Sequence, residues 1–92
     1  MKYEIQKLAT LLKQNNIPFE LDTDVCGNKD NQIFYPSREN CICDAICHEY
    51  SYGGKDGLIE IMGLTENDDD VEGYLTAEDV FIRMYNNYYE IH

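Results

Sequence analysis

Between residues 17 and 25 the chain alternates strictly. Ile17, Phe19, Leu21 and Val25 occupy odd positions, while Glu20, Asp22 and Asp24 occupy even ones. Successive side chains of an extended chain point to opposite sides. Period two over this length therefore predicts a strand with one face in a core and one face in water. A half-buried strand needs a second layer to cover its apolar side, and the rest of the chain must supply it.

Two helices are predicted to do so. Ile5, Leu8, Leu11 and Leu12 recur at helical spacing, with Lys7, Lys13 and Gln14 opposite, which predicts an amphipathic helix over about residues 2–15. Asn15, Asn16 and Pro18 end it. Near the other end, Thr76 and Asp79 have the spacing of a capping box, and Val80, Phe81, Met84, Tyr85 and Tyr88 form the stripe of a final helix. In between, residues 32–36, 41–49 and 58–64 read as three further strands, although the last apolar run also fits a helix. Turn-forming residues at 27–30, 37–40 and 50–57 separate them, and an acidic loop is expected over 65–73. The expected fold is a two-layer α+β domain spanning residues 1–92. It comprises an N-terminal helix, a four-stranded antiparallel meander and a C-terminal helix, with both helices on one face.

Charge restricts the partners. The 18 Asp and Glu against 7 Lys and Arg leave a formal net charge of -11. Nucleic acid and anionic membranes are repelled, whereas a protein with a basic surface is attracted. The acidity also serves solubility. Apolar content and eight tyrosines argue against a disordered chain. No apolar run approaches the roughly 20 residues of a membrane span, and the first residues lack the pattern of a secretory signal. A cytoplasmic protein is expected, in which cysteines are thiols or metal ligands and not disulfides.

Five residues of zinc-ligand type lie close together: Cys26, Cys41, Cys43, Cys47 and His48. A tetrahedral site takes four such ligands and would reinforce a small core. The spacing is not that of paired C-x-x-C knuckles, and on one straight strand Cys41 and Cys47 would stand about 20 Å apart. Across a meander, Cys26 can approach Cys47 and His48, with Asp24, Asp30 or Asp44 completing the set. Buried free thiols are the other reading, with Cys41, Cys43 and Cys47 sharing the odd side with Ala45. Zinc, where bound, would be structural, because no separate general base accompanies it.

Enzyme signatures are missing. The chain has no G-x-S-x-G, phosphate-binding loop or H-E-x-x-H, and Tyr52-Gly53-Gly54-Lys55 reads as a hairpin turn. A binding protein is therefore expected. Glu20, Asp22 and Asp24 form an acidic strand face that Asp44 and Glu60 join if odd positions face the helices throughout. Asp68, Asp69 and Asp70 add an acidic loop, and Tyr50, Tyr52, Tyr74 and Tyr89 lie outside the core stripes. Carboxylates beside tyrosines suit docking on a basic protein groove.

Three stretches resemble small phage and prophage proteins of Gram-positive bacteria. They are Gln32-Ile33-Phe34-Tyr35-Pro36-Ser37-Arg38-Glu39-Asn40, then Tyr50-Ser51-Tyr52-Gly53-Gly54 with Leu58-Ile59-Glu60-Ile61-Met62-Gly63-Leu64, then Gly73-Tyr74-Leu75-Thr76-Ala77-Glu78-Asp79-Val80-Phe81. Small acidic proteins of that origin include anti-CRISPR proteins, some of which bind zinc. The resemblance implies an inhibitor in the cytoplasm of an infected host. It would bind an RNA-guided DNA nuclease stoichiometrically through Glu20, Asp22, Asp24, Tyr52 and Asp68 to Asp70, and hinder nucleic-acid loading. The other implied role is a zinc-stabilised phage adaptor or regulator bound to another phage or host protein.

Overall fold

A computed structural model describes residues 4–23, 30–47, 57–66 and 70–91. Helix α1 (Glu4–Gln14) is followed by strands β1 (Glu20–Thr23), β2 (Asp30–Tyr35), β3 (Cys43–Ile46), β4 (Ile59–Met62) and β5 (Val71–Leu75), and helix α2 (Ala77–Ile91) closes the described chain. The strands form one antiparallel sheet in the order β1-β2-β3-β4-β5. The α+β class is as expected. The meander has five strands, one more than the sequence reading assigns, and strands β1 to β4 are shorter than or displaced from the expected spans.

Local chemistry explains both ends of the helical layer. Helix α1 stops in a Schellman arrangement, where Asn16 adopts φ 58°, its N–H donates to the Lys13 carbonyl at 3.3 Å, and the Ile17 N–H donates to the Leu12 carbonyl at 3.0 Å. Asparagine tolerates this left-handed conformation, and Ile17 and Leu12 bury together beneath it. Helix α2 starts on the predicted capping box. The Asp79 N–H donates to Thr76 Oγ1 at 3.2 Å, and the Thr76 N–H donates to Asp79 Oδ2 at 3.1 Å. Glu4 accepts from the Ala77 N–H and Lys7 pairs with Glu78, so the two helices meet at their N-terminal turns.

The odd positions of β2, β3 and β4 point to the helices. Ile33, Tyr35, Cys43, Ala45, Ile59 and Ile61 are buried with Ile5, Leu8 and Leu12 of α1 and Ala77, Val80 and Met84 of α2 in one cluster. Each buried Ile, Leu, Val or Met side chain contributes about 1.5–3 kcal/mol relative to an exposed one. Tyr35 is buried by its ring, yet its hydroxyl reaches Asn87 Oδ1 of α2 at 2.6 Å, so the polar tip is satisfied. Tyr85, predicted to lie on the inner stripe of α2, is 41% exposed. It stacks along the helix surface between Phe81 and Tyr89, with centroids 5.7 and 4.8 Å away.

The additional strand, β5, lies where an acidic loop was expected. Ile59 pairs with Leu75 but Ile61 pairs with Glu72, so β5 spends one more residue than β4 over the same stretch. That extra residue is a bulge at Gly73-Tyr74, where Tyr74 has φ 60° and stands out into solvent. The bulge turns Glu72 toward α2. There Arg83 grips it in a two-pronged pair of 2.8 and 2.7 Å and also donates to the Leu64 carbonyl at 3.2 Å. The Arg83 side chain is only 17% exposed, so this pair fastens the last strand to the helix layer.

The Arg83 hydrogen bonds, aided by the Glu66 N–H, hold the Glu72 carboxyl down at about 2. A lowered carboxylate stabilises the fold above its unfolded value near 4.5, and that contribution disappears as the pH falls toward 2. Thermal melts of wild type and Glu72→Gln across this range should differ by about 1 kcal/mol at pH 7 and converge in acid. A gap that persists unchanged at pH 2 would mean that the pair is not the source.

Candidate functional site: the open face of the sheet

Both helices contribute to the core on the odd side of the sheet, so the even side is uncovered among the described residues. Strand register sets its layout. One row runs Glu20, Phe34, Asp44, Met62, Val71 across all five strands, and a second runs Asp22, Gln32, Ile46, Glu60 across four. At about 4.8 Å between strands, the first row spans roughly 19 Å. Phe34 and Ile46 are half-buried, and Met62 is 57% exposed. Apolar and acidic side chains are interspersed on the face: Asp44 on the central strand stands between Phe34 and Met62 in the first row, and Ile46 stands between Gln32 and Glu60 in the second.

Asp44 is half-buried on this face. Partial burial raises its carboxyl above the ordinary aspartate value, with a smaller push from Glu60, against a stabilising hydrogen bond from Gln32 Nε2 at 3.4 Å. Beside β1, Arg38 lies over the same face. Its guanidinium stands 2.6 Å from Asp22 Oδ1 and 4.8 Å from the Phe34 ring centroid, while its backbone N–H donates to Glu20 Oε2 at 2.8 Å. Half-exposed contacts of this kind are worth about 0.2–1 kcal/mol each.

Of the residues expected to bind a partner, Glu20 and Asp22 lie on this face as predicted, and Asp44 and Glu60 join them. Asp70 is exposed immediately before β5, whose Val71 pairs with Met62. Asp24, Tyr52, Asp68 and Asp69 lie outside the described residues, as do the predicted turns at 27–29 and 50–56, Tyr50 and His92. Sequence reasoning missed Phe34, Ile46, Met62 and Arg38. Even parity already placed Phe34, Ile46 and Met62 opposite the core, which was the available signal. Arg38 left none, because its partners are distant in sequence.

The metal candidates divide. Cys26 and His48 lie outside the described residues. Cys43 and Cys47 are buried in the odd-side core, and Cys41 is exposed. Among the described residues no group of three His, Cys, Asp or Glu side chains is placed to hold a metal ion. Burial, with lesser contributions from Asp44 and Cys41, pushes the Cys43 thiol up to about 12. At 1% exposure the Cys43 side chain packs as part of the odd-side core.

Elsewhere on the described surface, a shallow groove of about 400 Å³ is lined by Lys13, Asn16, Ile17, Pro18, Phe19 and Tyr88. Lys13 is its one charged lining residue. No helix among the described residues is long and apolar enough to cross a membrane.

Thiol chemistry checks the cysteine assignment. Brief iodoacetamide treatment at pH 8, read by peptide mass spectrometry, should modify Cys41 readily and leave Cys43 more than about tenfold slower. Comparable rates would contradict the burial of Cys43.

No protein-family model matches the chain, and no curated protein or solved structure matches it either.

Proposed function

We propose that this protein acts by stoichiometric binding to a basic protein surface through the open face of its sheet, as an anti-CRISPR-type inhibitor of an RNA-guided DNA nuclease. The observation that carries the binding reading is the uncovered sheet face. On it Phe34, Ile46 and Met62 are interspersed with Glu20, Asp22, Asp44 and Glu60. Protein interfaces combine apolar contact area with polar groups in this way. Acidic faces steer toward basic clefts, and a net charge of -11 extends the attraction beyond contact distance.

A nuclease that holds guide and target in positively charged channels offers the complementary surface, and occupation of such a channel hinders nucleic-acid loading. The choice of this partner rests on the resemblance of residues 32–40, 50–54, 58–64 and 73–81 to phage proteins. That choice also places the protein in the cytoplasm of an infected bacterium. Chemistry on a substrate is not part of the proposal, since phosphates are repelled and no nucleophile–base pair is recognisable. Zinc enters only as a structural element. It would draw on Cys47 together with Cys26 and His48, and elemental analysis of the purified protein reads its content directly.

A pull-down with the nuclease, with and without guide RNA at low salt, tests the reading together with a DNA-cleavage assay. The wild-type protein should form a 1:1 complex and inhibit cleavage. The double variant Asp44→Asn/Glu60→Gln should weaken binding about tenfold, mainly by slower association, and flatten its dependence on salt. A complex that forms while cleavage proceeds at full rate would point instead to the adaptor role. The absence of any complex at low salt would sink the inhibitor.

A further inference from the structure

The open face already holds one guanidinium, in surroundings suited to that group. Asp22 and Phe34 sit on adjacent strands, on the same side, because Glu20 is the register partner of Phe34 and lies two residues from Asp22. Asp22 offers a carboxylate at 2.6 Å, and the Phe34 ring offers a flat face at 4.8 Å. A carboxylate beside an aromatic plane matches a planar, delocalised cation better than it matches an ammonium. The occupant, Arg38, is held loosely, with side chains of Arg38 and Asp22 50% and 41% exposed. Its backbone is anchored separately through the N–H donated to Glu20. The side chain can therefore swing away without releasing the loop that carries it.

We propose that Asp22 and Phe34 form a guanidinium subsite, which Arg38 fills in the free protein and an arginine of a basic partner takes over on docking. This inference rests on the docking role of the sheet face and adds the residue chemistry that the face selects. Arg38 acts as an internal competitor. It covers the Phe34 ring when no partner is present, and it sets a threshold that an arginine passes more easily than a lysine. The exchange keeps Asp22 paired with a cation throughout and releases the Arg38 guanidinium to solvent.

Titration of ¹⁵N-labelled protein with hexa-arginine and hexa-lysine peptides tests this without the nuclease. Arg38→Gln should bind hexa-arginine about three- to fivefold more tightly than wild type, with the largest amide shifts at Asp22 and Phe34. The gain for hexa-lysine should be smaller. Lys13→Gln, on the exposed side of α1, changes the net charge equally and should gain less than Arg38→Gln. Arg38→Lys, which keeps the charge and loses the planar stack, should fall between. Equal gains for Arg38→Gln and Lys13→Gln would reduce the effect to net charge and overturn the subsite, as would shifts centred away from Asp22 and Phe34. If the peptides behave as expected while the nuclease is not captured, the inhibitor reading fails and the subsite stands. Capture of the nuclease with an unresponsive Arg38→Gln has the opposite meaning.

Discussion

Both helices pack on the same side of the sheet, and much else in the molecule follows from that placement. It confines the core to odd positions of β2, β3 and β4, where Ile33, Tyr35, Cys43, Ala45, Ile59 and Ile61 meet α1 and α2. It leaves the even positions to be satisfied by water, by one another or by another protein. The acidic residues are consistent with this division. Asp22, Asp44 and Glu60 occupy the uncovered side, and the described core contains no buried polar or charged residue. The largely buried ion pair of Arg83 with Glu72 sits at the margin between layers, where it binds β5 to α2.

Elements specified by neighbouring residues were legible in the sequence. Alternation gave β1 its two faces, and Asn15-Asn16 and the Thr76/Asp79 pair mark the ends of the helices through side chains that act within a few residues. β5 was not legible. Its residues 71–75 follow a run of acids, and the bulge at Gly73-Tyr74 breaks the period by which a strand is recognised. Its inward acid is also acceptable only because Arg83, eleven residues on, neutralises it. Tyr85 misled for a related reason, since hydrophobicity alone does not distinguish an inward ring from one stacked along the helix surface.

The candidate site shows the same split. Parity alone puts Glu20, Asp22, Asp44 and Glu60 on one side. The same parity puts Phe34, Ile46 and Met62 with them, but their apolar character alone points inward and masks that signal. Arg38 could not be placed at all, because the loop after β2 returns to β1 through contacts that no local pattern encodes. The cysteines lie between these cases. Parity placed Cys41, Cys43 and Cys47 with the core; the structure agrees for Cys43 and Cys47 but leaves Cys41 exposed, because β3 begins only at Cys43. Ligand spacing alone could not separate a core thiol from a metal ligand.

An open face that intersperses apolar and acidic side chains is suited to basic protein surfaces, and the chain carries methyl groups that report on it directly. Ile46 and Met62 lie on the open face, while Ile82 is exposed on α2, away from it. Methyl NMR of the protein with the guide-loaded nuclease therefore locates the docking surface in one spectrum. The account predicts that the Ile46 and Met62 methyl signals shift or broaden and that Ile82 stays sharp relative to them. Perturbation of Ile82 with Ile46 and Met62 unchanged would contradict it, and so would a spectrum in which none of the three responds.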